Sequence, residues 1–293
     1  MTRAGTLAVS LAVCSLVAGC GGDDDEQDSN RAAVYQAPTD GSREIPLSPA
    51  AAEAHRQLTA RAQRGDELTE EAYAEYEEAV AAMAYLLDAY WSDAFRENGL
   101  DTYRSPADVY GYYPGEDTDV ICGGEDAATP ENAFYCGGTN EIGWDEPGLF
   151  LPYFFERGEL AVGIVLAHEW GHLVQARADA GFGITYEQEL NADCLAGAWL
   201  RGMDRADLLD GVAPGDAGDI DLALETIFGL GDAPGTPFED PQAHGQPKER
   251  LAAVALGYAD ELDGCIDEYW PGFAKANGIA IPRGGAAAQG DAL

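Results

Sequence analysis

The segment Ala167-His168-Glu169-Trp170-Gly171-His172-Leu173 constrains this chain more than any other. Two histidines four positions apart share one helical face, so His168 and His172 can both turn an imidazole toward one tetrahedral Zn2+, with Glu169 beside the position left open. Three fixed residues in five also arise in unrelated amphipathic helices, where two histidines are merely solvated. The surroundings argue otherwise. Val162, Ile164, Val165, Leu166, Leu173 and Val174 make this helix apolar, and two of the chain's four histidines stand in the motif. Imidazoles placed there are buried and need partners. Seventeen residues past His172, Glu189 and Asp193 are again four apart on one helical face, so one carboxylate can ligate while the other orients; Glu187 is a weaker competitor.

The N-terminus reads as an export signal. Arg3 supplies a basic start, Leu7 to Val17 an apolar stretch, and Leu16-Val17-Ala18-Gly19-Cys20 resembles the bacterial lipoprotein lipobox. The stretch is too short to cross about 30 Å of hydrocarbon as a helix. The implied organisation is a lipoprotein signal peptide over 1–19, lipidation at Cys20, an acidic flexible tether over 20–65 that includes His55, a folded domain over 66–278 and a disordered tail over 279–293. The location implied is the cell envelope, outside the cytoplasm and lipid-anchored to the membrane.

Export changes how the cysteines read. With Cys14 in the signal and Cys20 anchored, Cys122, Cys136, Cys194 and Cys265 remain, an even set suited to disulfides in an oxidising compartment. Three pairings are possible. Cys122 and Cys136 bracket a Gly/Asp/Asn/Pro-rich loop that a crosslink would pin, which leaves Cys194 with Cys265. The chain's 16 basic against 53 acidic residues, a formal charge of −37, would repel a phosphate backbone, so the composition argues against nucleic-acid partners. At 293 residues, 46% of them hydrophobic, the chain is long enough to bury a sizeable core.

Hydrophobic periodicity predicts a first core helix within Leu68 to Glu97, where Val80, Met83, Ala84, Leu87, Tyr90, Trp91 and Phe95 recur three and four apart before Asn98-Gly99. Further helices are expected over Leu160 to Ala176, Tyr186 to Leu200, Asp219 to Phe228 and Pro247 to Tyr258. Between Leu100 and Pro152 the helical period disappears, and Asn132 to Cys136 and Glu141 to Trp144 are predicted to pair as strands.

Taken together, HEWGHLVQ (168–175) and ELNADCLAG (189–197) resemble the bacterial neutral zinc metallopeptidases, and share H-E-x-x-H…E-x-x-x-D with the wider gluzincin group. WSDAF (91–95), NAFYC (132–136) and HGQPKERLAAVALGY (244–258) extend the resemblance over roughly residues 80 to 265. The resemblance implies an α+β, mainly α fold: a zincin-like helical catalytic domain with a small antiparallel sheet or hairpin next to the active-site helix. It implies His168, His172 and Glu189 as Zn2+ ligands, Glu169 as the general base of peptide hydrolysis, and Asp193 as acceptor of the other His168 N–H. His244 and Tyr258, in the C-terminal stretch, are candidate donors to an oxyanion. The expected partners are a peptide or protein substrate and, through Cys20, the membrane. The competing expectation is a catalytically inactive lipoprotein that keeps the zinc fold as a binding or scaffolding module. Gly171 is expected to let another element approach the zinc helix closely.

Overall fold

The computed structural model describes residues 32–35 and 69–270, apart from 118, 183–184, 207, 209–217 and 241–242. The signal peptide expected over 1–19, Cys20, His55 and the tail expected over 279–293 lie outside the described residues. The first helix, α1 (Glu70–Glu97), starts where the Thr69 side chain accepts the Ala72 N–H (3.1 Å). It stops at Asn98-Gly99, where Leu100 N–H reaches Phe95 O (2.9 Å) and Gly99, at φ +71°, reaches Arg96 O (3.1 Å). Tyr73, Tyr76, Val80, Met83, Leu87, Trp91 and Phe95 form its buried face.

Among the described residues six strands accompany the helices: β1 (Ala32–Tyr35), β2 (Asp108–Tyr112), β3 (Ile121–Cys122), β4 (Glu125–Asp126), β5 (Ala133–Cys136) and β6 (Glu141–Asp145). β5 and β6 pair antiparallel, as their sequences predict, with Tyr135 opposite Ile142. The four-stranded sheet has the order β1-β2-β6-β5 and is mixed, because β5 occupies one edge of β6 and the parallel partner β2 takes the other. β1 lies inside the segment expected as tether; it adds to β2 antiparallel, with Ala32 opposite Gly111. Its Ala-Ala-Val-Tyr sequence is too short to declare itself without the edge it joins.

The helical period absent between Leu100 and Pro152 returns earlier than the sequence suggests. Asp145 caps a single wide turn at Glu146–Phe150 by accepting the Gly148 N–H (2.9 Å), and α2 (Leu151–Arg157) continues it. Pro147 and Pro152 disguise this stretch, yet both occupy first turns, where a proline costs no hydrogen bond.

The remaining helices are α3 (Glu159–Arg177), α4 (Thr185–Arg205), α5 (Gly218–Gly229) and α6 (Pro247–Tyr269). α3 is central, packed by α1, α2, α4, α5 and β5, which is why it is apolar on nearly every side. The fold is therefore α+β and mainly α, with the small sheet beside the central helix. α6 outruns the expected end at Tyr258: it bends at Glu261 (φ 56°) and continues to Tyr269, so Cys265 lies within it. Its start combines Pro247 in the first turn with a Glu249 carboxylate that accepts the Gln246 N–H (3.2 Å).

Close helix crossings set the site. A Cβ on Gly171 would stand 2.9 Å from the Cα and carbonyl oxygen of Ala192, so the expected close approach is that of α4 to α3. A side chain on Gly257 would collide with the Cys194 carbonyl, and the same α4–α6 crossing carries the Cys194–Cys265 disulfide. The second disulfide, Cys122–Cys136, ties the β3 end to β5. Both bridges are those expected from the sequence, and they fit an oxidising, extracytoplasmic compartment. No helix among the described residues is long and apolar enough to cross a membrane.

Candidate metal centre

α3 presents His168, Glu169 and His172; α4, one close crossing away, presents Glu189 and Asp193. His168 Nε2 lies 3.1 Å from Glu189 Oε2, and His172 Nε2 lies 3.4 Å from Glu189 Oε1. The two rings stand nearly perpendicular, their centroids 4.8 Å apart. The three potential ligand atoms fall within 4.8 Å of one another, so His168, His172 and Glu189 could hold a metal ion. A tetrahedral centre with N and O ligands at about 2.0–2.1 Å separates neighbouring ligand atoms by about 3.3 Å. Each imidazole nitrogen stands at about that distance from one Glu189 oxygen, His168 from Oε2 and His172 from Oε1. Glu187, the weaker competitor, is exposed.

The other nitrogen of each ring is also engaged. His168 Nδ1 lies 2.8 Å from Asp193 Oδ1, the contact expected of Asp193. Asp193 is fully buried and held by a residue the sequence reading did not single out: Arg250 of α6 donates Nε to Oδ2 and Nη2 to Oδ1, both at 2.8 Å, and Nη1 to the Leu230 carbonyl (2.9 Å). A sequence signal for Arg250 existed. It precedes Ala253, Val254 and Gly257 at helical spacing, a charge on the face that turns inward. His172 Nδ1 lies 3.0 Å from Oε1 of Gln175, which is itself buried on the α4-facing side of α3.

Electrostatics follow from these pairs. Burial alone would lower the His168 imidazole, but the Asp193 charge and the hydrogen bonds of Asp193 and Glu189 push it up to about 10. His172 is raised in the same way by Glu189, against burial. Burial would raise Glu189 and Asp193. The two imidazoles instead hold Glu189 well below the usual carboxylate range, and Arg250 with His168 holds Asp193 down. The pocket is thus organised around separated charges, the imidazoles raised and the carboxylates lowered, so a cation held there would have to displace protons from the imidazoles.

Above these groups lies a cleft of about 640 Å³ whose lining includes His168, Glu169, His172 and Glu189. Edge strand β5 lines it with Ala133, Phe134 and Tyr135, and the apolar Ile227 and Leu230 also belong to the lining. Glu169 is buried, and its carboxylate takes no hydrogen bond from any described residue. His244 reaches the cleft lining; it is largely exposed, with Nδ1 3.8 Å from Asp232 Oδ1. Tyr258 is not brought to the site, because its hydroxyl donates to Asp204 Oδ2 (2.7 Å) beneath the Arg201 guanidinium.

No family model matches the chain, and no solved structure matches it. It is 27% identical over 198 residues to the uncharacterized protein YpfJ of Escherichia coli K12, and equally to YpfJ of Escherichia coli O6:H1. The match takes in 57% of this chain and 62% of each relative, so it spans less than two thirds of the curated relatives' length.

Proposed function

We propose that this protein is a zinc metallopeptidase of the neutral, gluzincin-like type, anchored outside the cytoplasmic membrane by a lipid on Cys20. The observation that carries the reading is the convergence of two imidazole nitrogens and one carboxylate within 4.8 Å in the lining of the cleft, with a second buried carboxylate, Glu169, in the same lining but outside that group. The donor set supports zinc: two imidazoles and a carboxylate are the protein ligands of a catalytic zinc site, which keeps one position for solvent. When bound, the ion supplies a Lewis acid and lowers the pKa of the water it holds from 15.7 to about 7.

The chain's own residues do the rest. Glu169 takes the proton of the attacking water and returns it to the leaving amine, the two halves of one general base–acid cycle. Asp193, kept ionised by Arg250, accepts the His168 Nδ1 proton and leaves Nε2 for the ion. His244, steadied by Asp232, stands at the cleft lining where it can donate to a developing oxyanion. The free edge of β5 offers backbone groups along which an extended peptide can lie as an added strand.

Metal analysis of the purified protein is expected to find about one zinc per chain, lost in His172→Ala. Glu169→Gln is expected to keep the metal and lose hydrolysis of an unfolded protein substrate by about 10²–10⁴-fold. A metal-free wild type overturns the reading. A Glu169→Gln variant that cleaves as well as wild type, or a zinc-loaded wild type that cleaves nothing, favours the binding module without turnover. Labelled fatty acid incorporated into wild type and not into Cys20→Ser tests the anchor.

A further inference from the structure

The two ligand histidines are held by different chemistry, and the second holder has a role of its own. Gln175, on α3, is 3% exposed and reaches across to α4. Its Nε2 lies 2.8 Å from the Gln188 carbonyl oxygen and 2.9 Å from Asn191 Oδ1. The Gln188 carbonyl accepts only, so the group facing it is the amide NH2 and never the amide oxygen. Orientation of the whole side chain follows: Oε1 points to the opposite side, toward His172 Nδ1 at 3.0 Å. An amide oxygen also accepts only, so His172 must carry its proton on Nδ1.

We infer that Gln175 is a positioning residue that fixes the His172 tautomer and so presents the Nε2 lone pair to the metal. The inference rests on the zinc reading above. Asp193 performs the corresponding task for His168 with a charged carboxylate; Gln175 performs it with a neutral amide whose direction is dictated by a backbone carbonyl of the neighbouring helix. That carbonyl belongs to Gln188, adjacent to the ligand Glu189. One side chain therefore sets the proton position on one ligand and the register of the turn that carries another.

Three species tested side by side decide the matter: wild type, Gln175→Glu, which keeps an acceptor for Nδ1–H, and Gln175→Met, which does not. The readouts are the histidine-optimised ¹H–¹⁵N correlation spectrum of the zinc-loaded proteins and the zinc dissociation constant from chelator competition. Wild type is expected to show His172 protonated at Nδ1. Gln175→Met is expected to bind zinc about 10–100-fold more weakly, the usual loss when a ligand's hydrogen-bond partner is removed. Gln175→Glu should bind more tightly than Gln175→Met, although it loses the same two donated bonds to α4. Equal losses in both variants, or none in Gln175→Met, overturn the inference, since a mere bridge between helices predicts the former and an idle side chain the latter. Should Gln175→Met fail to fold, a zinc-loaded wild-type spectrum with His172 protonated at Nε2 overturns it alone. Absence of zinc from wild type sinks the zinc reading and the inference with it; zinc-loaded wild type beside an unaffected Gln175→Met sinks only the inference.

Discussion

Two buried carboxylate clusters lie in this molecule at similar depth, and they ionise in opposite senses. At the candidate metal centre, Glu189 and Asp193 face two imidazoles and a guanidinium and are held below their ordinary values. Across the core, between α1 and the sheet, Glu146 accepts from Tyr73 Oη (2.9 Å), Tyr76 Oη (2.7 Å) and Trp144 Nε1 (2.6 Å). Three donors do not offset its burial, and its carboxyl is raised; beside it Glu77 is pushed up to about 8, by burial first and by Glu146 second. Depth is common to both, so depth is not the cause. Neutral donors stabilise an anion less than desolvation penalises it, whereas a cation at hydrogen-bond distance reverses the balance. A cluster of the first kind has the charges to hold a metal ion; one of the second kind keeps its protons.

Breaking the charged cluster carries the largest expected effect. Arg250→Met leaves Asp193 ionised, buried and without its guanidinium, which should cost about 3–5 kcal/mol of stability in denaturant unfolding of the metal-free protein. The double variant Arg250→Met/Asp193→Asn should recover much of that loss. A single variant within 1 kcal/mol of wild type would show that the pair does not carry the site. Withdrawing zinc comes next: at free zinc about 1,000 times the dissociation constant the ion contributes about 4 kcal/mol. A chelator should therefore lower the unfolding midpoint of wild type and leave that of His172→Ala unchanged.

The proton-storing cluster makes smaller, opposite predictions. A Glu77 carboxyl at about 8 in the folded chain against 4.5 in the open chain keeps its proton between those values only when folded. Its stabilising contribution is full below about 4.5 and is lost as pH rises toward about 8. In chelator, Glu77→Gln should gain on wild type in unfolding midpoint over that interval; a difference that is flat with pH contradicts the raised carboxyl. Smallest is Glu146→Gln, which keeps the shape and an acceptor and should cost about 1 kcal/mol. A loss as large as that of Arg250→Met would mean that Glu146 is ionised and that the contrast between the clusters is misread.

Much of the candidate metal centre was legible because its spacing is local. His168 and His172 are one turn apart, as are Glu189 and Asp193, and helix geometry alone puts each pair on one face. The apolar neighbours of His168 announce burial, and the β5/β6 pair and both disulfides follow from short-range pattern and cysteine number. Of the two candidate oxyanion donors, His244 stands in the cleft lining, while Tyr258, on the same stretch, turns to Asp204. The partners of the histidines' outer nitrogens were harder to read. Arg250 meets Asp193 across 57 residues, through an α4–α6 crossing that Gly257 permits and the Cys194–Cys265 bridge spans. Gln175 stood inside the motif, but its amide direction depends on the Gln188 carbonyl of another helix.

What the sequence determined by itself, then, is which residue types share a helical turn, because a covalent repeat of 3.6 residues needs no second element to act. It also determined that α3 had to be wrapped on every side, since an apolar helix has nowhere else to go. Only the tertiary structure decided which buried carboxyl keeps its charge. That choice depends on a cation brought from a distant part of the chain into a medium where water no longer screens it, and no local spacing encodes such a meeting.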